Sequence, residues 1–139
     1  MVKHGMIDLE TLGNTHDTVV LTIGACKFNP FTNEEPFEKL HLKLNVTQQK
    51  EEMNRQVNQD TLMWWGRQPS DVREEAFSPE NRVSIEDAHS AVKEWASDIS
   101  TIWCQGPSFD FPILKIIGRI PKKFLILIAV SVLAICFIN

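Results

Sequence analysis

Asp8 and Glu10 stand two residues apart at the end of an apolar run, in the stretch MIDLE at positions 6–10. On a strand, side chains at i and i+2 leave the same face, so both carboxylates would aim at one point. Carboxylates placed that way repel unless a cation lies between them. Hard divalent ions such as Mg2+ or Mn2+ take oxygen ligands and suit the arrangement. A D-x-E pattern is common, however, and a strand ending in solvated charge accounts for it as simply. A third acid, Asp110, follows the turn Gly106-Pro107-Ser108 at the mouth of a helical stretch, where it also complements a helix dipole. Singly, each acid has a plain explanation; in combination they form a candidate metal site.

The elements that would carry these acids can be read from the spacing of apolar residues. Residues 2–9 form a first strand. Residues 18–28, TVVLTIGACKF, form a second, with Gly13-Asn14 in the turn between them. Residues 37–46 alternate, with Leu40, Leu42 and Leu44 on one face and Lys39, His41 and Lys43 on the other, the pattern of a half-buried third strand. Residues 48–58 are polar and read as a surface segment. Helical spacing follows at 60–68, with Asp60 as cap, and at 70–77, opened by Ser70, Asp71 and Glu74. The clearest helix covers 84–99, where Ile85, Ala88, Val92, Trp95, Ala96 and Ile99 make one stripe behind Ser84. A short strand at 101–105 and a helix over 109–117 complete the order. That order predicts an α/β fold: a three-strand antiparallel meander plus a parallel strand in one mixed sheet, with helices on its faces.

At 139 residues the chain has room for one sizeable core. A formal charge of −4 argues against nucleic-acid binding driven by overall charge. It leaves open an enzyme that meets nucleic acid through bound metal ions, which invert the local sign. Cys26, Cys104 and Cys136 have neither C-x-x-C spacing nor a nearby histidine, so buried free thiols in a reducing compartment are expected rather than a zinc site. The first residues carry no signal pattern, and a cytoplasmic protein is expected.

Asp8-Leu9-Glu10-Thr11 with TIGACKF downstream resembles the first motif of the DEDD-superfamily 3′–5′ exonucleases, which have a ribonuclease H-like fold. The blocks TLMWWGRQPSDVR (61–73) and WCQGPSFDFPIL (103–114) are similar to the phage exonuclease A group and its exoribonuclease-like bacterial relatives. The likeness covers about residues 6–123. It implies two-metal phosphodiester hydrolysis with Mg2+ or Mn2+, on a single-stranded or 3′-end nucleic-acid partner. Asp8, Glu10 and Asp110 would be three of the four metal-binding, catalytic acids. Leu9 and Thr11 would meet the terminal base, with Phe109 beside them. Trp64 and Trp65 point two ways on a helix, so one ring belongs to the core. The other, assigned to Trp65, would line the nucleic-acid groove with Arg67, Gln68 and Arg73.

The resemblance breaks at its third motif, H-x-x-x-x-D or Y-x-x-x-D. The chain has no tyrosine, no Asp after Asp110, and Leu9, Leu21, Val46 and Glu94 five residues after its four histidines. Its exonuclease-like domain, residues 1–123, is therefore expected to lack the last strand and helix of the fold, or to have them replaced, and to be inactive or weak. Residues 124–139 contain no charged side chain and follow the basic flank GRIPKK, as a frameshifted C-terminus would. The apolar stretch is shorter than the ~20 residues a spanning helix needs, which makes a membrane anchor the lesser alternative. If folded, residues 124–130 should pair beside the strand bearing Trp103, in place of the absent last strand. A non-catalytic nucleic-acid-binding module is the remaining alternative.

Overall fold

A computed structural model describes residues 3–104, 112–113 and 125–127. One sheet organises them. Strands β1 (His4–Thr11), β2 (Val20–Phe28) and β3 (Phe37–Leu44) form the expected antiparallel meander. The chain then makes helices α1 (Val46–Glu51), α2 (Gln59–Gly66) and α3 (Ser70–Phe77), the short strand β4 (Arg82–Val83), and helix α4 (Ile85–Trp95). A 3-10 turn, Ala96–Asp98, leads to β5 (Thr101–Trp103), parallel to β1, and β6 (Leu125–Leu127) lies parallel to β5. The order is β4-β3-β2-β1-β5-β6. β6 occupies the place anticipated for it beside Trp103, so part of the apolar segment beyond residue 123 belongs to the sheet.

β2 is buried along almost its whole length because helices cover the sheet on both sides, and its sequence is accordingly a near-continuous apolar run. On one face α4 lays down Ile85, Ala88, Val92 and Trp95 against Ile7, Leu9, Ile23, Ala25 and Ile102. Ser84 starts that helix by accepting a hydrogen bond from the Asp87 backbone N–H at 3.1 Å. The approach is close at Gly5, where a Cβ would lie 2.6 Å from the Trp95 ring and 2.8 Å from Ile99 Cδ1. Below Trp95, Lys27 is 3 % exposed and is ion-paired to Glu38 and Asp98, which Lys3 also contacts.

On the opposite face the apolar cover is in two parts. Leu12, Val19 and Leu21 pack under Trp65 and Ala76 from α2 and α3. At the other end Met6, Cys26 and Phe28 pack with Trp103. Cys26 is disulfide-bonded, which corrects the expectation of a free thiol there. The middle of this face is left without apolar cover.

Several details depart from the sequence reading. The polar stretch after β3 is exposed over much of its length, as expected, but Asn45 caps α1 by accepting from Gln48 N, and that helix turns Gln49 fully inward. Asn58, not Asp60, caps α2; it stands one residue before the first helical position, where a side-chain acceptor reaches the free N–H groups. The fifth strand stops at Trp103, and β4 carries no sequence signal. Within the helix expected over 109–117, residues 112 and 113 are helical, and the rest lies outside the described residues.

Candidate active site

Asp8 and Glu10 project from β1 onto the middle of the sheet face opposite α4, between the two apolar clusters. β1 continues to Thr11, so both acids lie inside the strand. Asp8 stands opposite Gly24 and Glu10 opposite Thr22 on β2, and Gly24 in turn stands opposite His41 on β3. Both carboxylates, Thr22, Gly24 and His41 line a cleft of about 230 Å³, closed on its other side by Trp65, Val72, Glu75 and Ala76 from α2 and α3. Directly after Glu10 the register shifts, so that Thr11 faces Val20 and Leu21 is the extra residue. Such a bulge sharpens strand twist, and here it sends Leu21 under Trp65. The apolar wall therefore begins where the acidic floor ends.

Asp8 is partly buried, and burial raises its pKa above the ordinary carboxylate value, opposed by a hydrogen bond from the Leu9 backbone N–H. Among the described residues Asp8 forms no ion pair. A desolvated carboxylate beside a second one is unfavourable when charged, and a bound divalent cation removes the penalty. The donor set, two carboxylates on one face of a rigid strand, fits a hard cation. No group of three or more metal-ligating side chains occurs among the described residues. Asp110, the third expected acid, lies outside them, as does Phe109.

Other expected contacts fall differently. Leu9 is 7 % exposed and packs into the core under α4, on the face opposite Asp8, as strand alternation requires. The Thr11 hydroxyl donates to the Gly13 carbonyl at 2.8 Å and closes the turn. Trp65 is 4 % exposed, and its indole N–H donates to the Thr11 carbonyl at 3.0 Å. Its ring is set edge-to-face between Trp64 and Phe77. Trp64, 48 % exposed, is thus the ring open to solvent, and Trp65 is the wall that holds it. His41 and Glu75 were not anticipated in the cleft. The alternation in β3 separates His41 from the leucines, but it does not say which face of the sheet carries Asp8.

The sequence matches the family described as the 3′-5′ exoribonuclease Rv2179c-like domain over residues 3–126. An exodeoxyribonuclease of Enterobacteria phage T4 is 29% identical over 119 residues, 78% of this chain and 52% of the phage protein. Exonuclease I from Methylocaldum szegediense superimposes with a TM-score of 0.63 at 12% identity, covering 96% of this chain and 29% of that one. The zinc-ion-bound complex of E. coli Exonuclease I with single-stranded DNA gives 0.60 at 12% identity, covering 99% and 30%. The chain thus spans about half the length of the phage relative and under a third of the Exonuclease I chains. The mixed sheet with flanking helices is the exonuclease, ribonuclease H-like fold.

Proposed function

The chain belongs to the Rv2179c-like 3′-5′ exoribonuclease domain family, and from that premise we propose that its open sheet face is a divalent-metal site for hydrolysing nucleic acid from a 3′ end. The observation that carries this reading is the shared exposure of Asp8 and Glu10 in one cleft. Asp8 and Glu10 would hold Mg2+ or Mn2+, and Asp110 would be the third acid by its place in GPSFD. Ions bound there supply Lewis-acid stabilisation of phosphate charge and make water a stronger nucleophile. Asp8 must be ionised to serve, and its burial opposes that ionisation until a cation is bound. Trp65 and Ala76, both buried, close one side of the cleft, and Gly24 leaves the floor open beside Asp8.

Slow turnover is the expectation for these 139 residues by themselves. Residues 111–139 contain neither Asp nor His, the types the resemblance calls for in its third motif, and loss of a general base costs about 10²–10⁴-fold. Calorimetric titration with Mn2+ should show binding that Asp8→Asn removes. Release of label from a 3′-labelled oligonucleotide should be Mn2+-dependent and far below that of an intact relative. Absence of Mn2+ binding to the unmodified chain would overturn the metal site. The same lack of Asp and His supports a second reading, a module that binds single strands without cutting them. Binding that survives both EDTA and Asp8→Ala, with no cleavage at any Mn2+ concentration, would select it.

A further inference from the structure

We propose that β3 is the phosphate track of this site: Lys39, His41 and Lys43 hold the sugar-phosphate backbone of a single strand on its way to Asp8 and Glu10. The proposal rests on the nucleic-acid reading of the cleft and adds the residues that grip the polymer. It begins from register. Asp8, Gly24 and His41 form one row across three strands, and Glu10, Thr22 and Lys43 form the next. Neighbouring strands lie about 4.8 Å apart, so the basic row runs about 10 Å from the acidic one. His41 and Lys43 alternate with Leu40 and Leu42, which pack toward α4, and so share the face of the carboxylates; Lys39 precedes them beside the register shift opposite Ala25 and Lys27. Alternate residues of a strand are about 6.7 Å apart, a spacing comparable with successive phosphates of an extended strand.

These side chains are not used by the fold. Among the described residues none of the three makes an ion pair, whereas Lys3 and Lys27, on the other side of the sheet, are both paired. The opposite bank of the cleft has the reverse character. Val72 and Glu75 line it, and Asp71 and Glu74 are exposed on the same helix. Asp71, Glu74 and Glu75 outweigh the one cation of α3, Arg73, so a polyanion favours the β3 bank, while bases meet the apolar wall. Gly24 puts no side chain between Asp8 and His41, so a backbone can cross the floor. Lysines on a strand whose outer side is paired only at Lys43 and Leu44, by β4, also guard against strand addition. That role alone requires no alignment with the carboxylates and no place for His41 in the cleft.

The test uses the full chain with a fluorescent single-stranded oligonucleotide in EDTA, so that binding is read without cleavage. Each lost phosphate contact lowers the slope of log K against log salt by about 0.7 for single strands, so Lys39→Ala/Lys43→Ala should lower it by about 1.4 and weaken binding about tenfold near 0.15 M salt. Lys50→Ala/Lys93→Ala, on α1 and α4, should leave slope and affinity as they were. An unchanged slope in the β3 variant, or an equal fall in both variants, overturns the track. Folding defects are bypassed by acetylating the unmodified protein. Bound oligonucleotide should protect the Lys39 and Lys43 amines and not those of Lys50 and Lys93, and equal reactivity overturns the track again. Mn2+-dependent cleavage is read separately: its failure with the slope change intact removes the hydrolase reading and leaves the track standing.

Discussion

Gln49 offers the sharpest test of how the site is held. It is fully buried, and its amide pairs with Val20 as another strand would. Oε1 accepts from the Val20 N–H at 2.7 Å, and Nε2 donates to the Val20 carbonyl at 2.8 Å and to the Asn45 carbonyl at 3.0 Å. The paired stretch of β3 ends opposite Thr22, so without Gln49 the backbone of Val20 would have no partner on that side. Val20 also lies opposite Thr11, at the bulge that follows Glu10. Gln49→Leu keeps the volume and removes all three hydrogen bonds. A buried polar group left unsatisfied costs about 1–3 kcal/mol, so the two Val20 groups alone predict a loss of about 2–6 kcal/mol. That is a large fraction of a total stability of about 5–15 kcal/mol. Urea unfolding should show a much lower midpoint, whereas Lys50→Leu, exposed on the same helix, should change stability by no more than about 0.5 kcal/mol. Gln49→Glu sharpens the test, because a carboxylate keeps the acceptor and loses the donor. It should be destabilised at neutral pH and partly rescued in acid, where the protonated group donates to a carbonyl. A Gln49→Leu protein within 1 kcal/mol of the unmodified one would refute the argument.

Mn2+ at about 100 times its dissociation constant should stabilise the folded chain by about 2.7 kcal/mol, and Asp8→Asn should abolish that shift in a thermal melt. Trp65→Phe keeps a ring in the wall but orphans the Thr11 carbonyl, for an expected loss of about 1–3 kcal/mol in urea unfolding. Trp64→Ala, at the surface, should lose no more than about 0.5 kcal/mol; equal effects would refute the assignment of the two rings. Asp98 is held down at about 2 by hydrogen bonds from Lys27 and Lys3. Its folded pKa lies below the unfolded one, so the stability it contributes is present above the ordinary value of 3.8 and is lost as pH falls from there toward about 2. Asp98→Asn should flatten the acid limb of stability against pH in that window. Gly5→Ala should destabilise by about 1–3 kcal/mol through overpacking against Trp95, with the unfolding midpoint again as readout.

The proposed metal site depends on an arrangement that lowers the stability of the fold. Desolvated Asp8 with Glu10 beside it is a poor floor for an empty cleft, and the apolar clusters at both ends of that face offset the cost. A protein of net charge −4 draws a polyanion to bound metal ions or to a local concentration of cations, and Lys43 and His41 of β3 stand in the rows of Glu10 and Asp8.

Much of this was legible in the sequence because it is local. Alternation in FEKLHLKL, the stripe behind Ser84 and the i, i+2 spacing of Asp8 and Glu10 each describe one element by itself, and backbone geometry turns such spacing directly into faces. What the pattern of a single element leaves open is which neighbour covers each face. The tertiary structure decided that Leu9 faces α4 while Asp8 faces the cleft, and that Trp65 is the wall and Trp64 the exposed ring. It also decided that His41 shares the carboxylates' side and that Gln49 is buried. Gln49 shows the reason most plainly: a polar residue reads as surface until a strand end with unpaired backbone groups is brought against it, and only long-range packing brings it there.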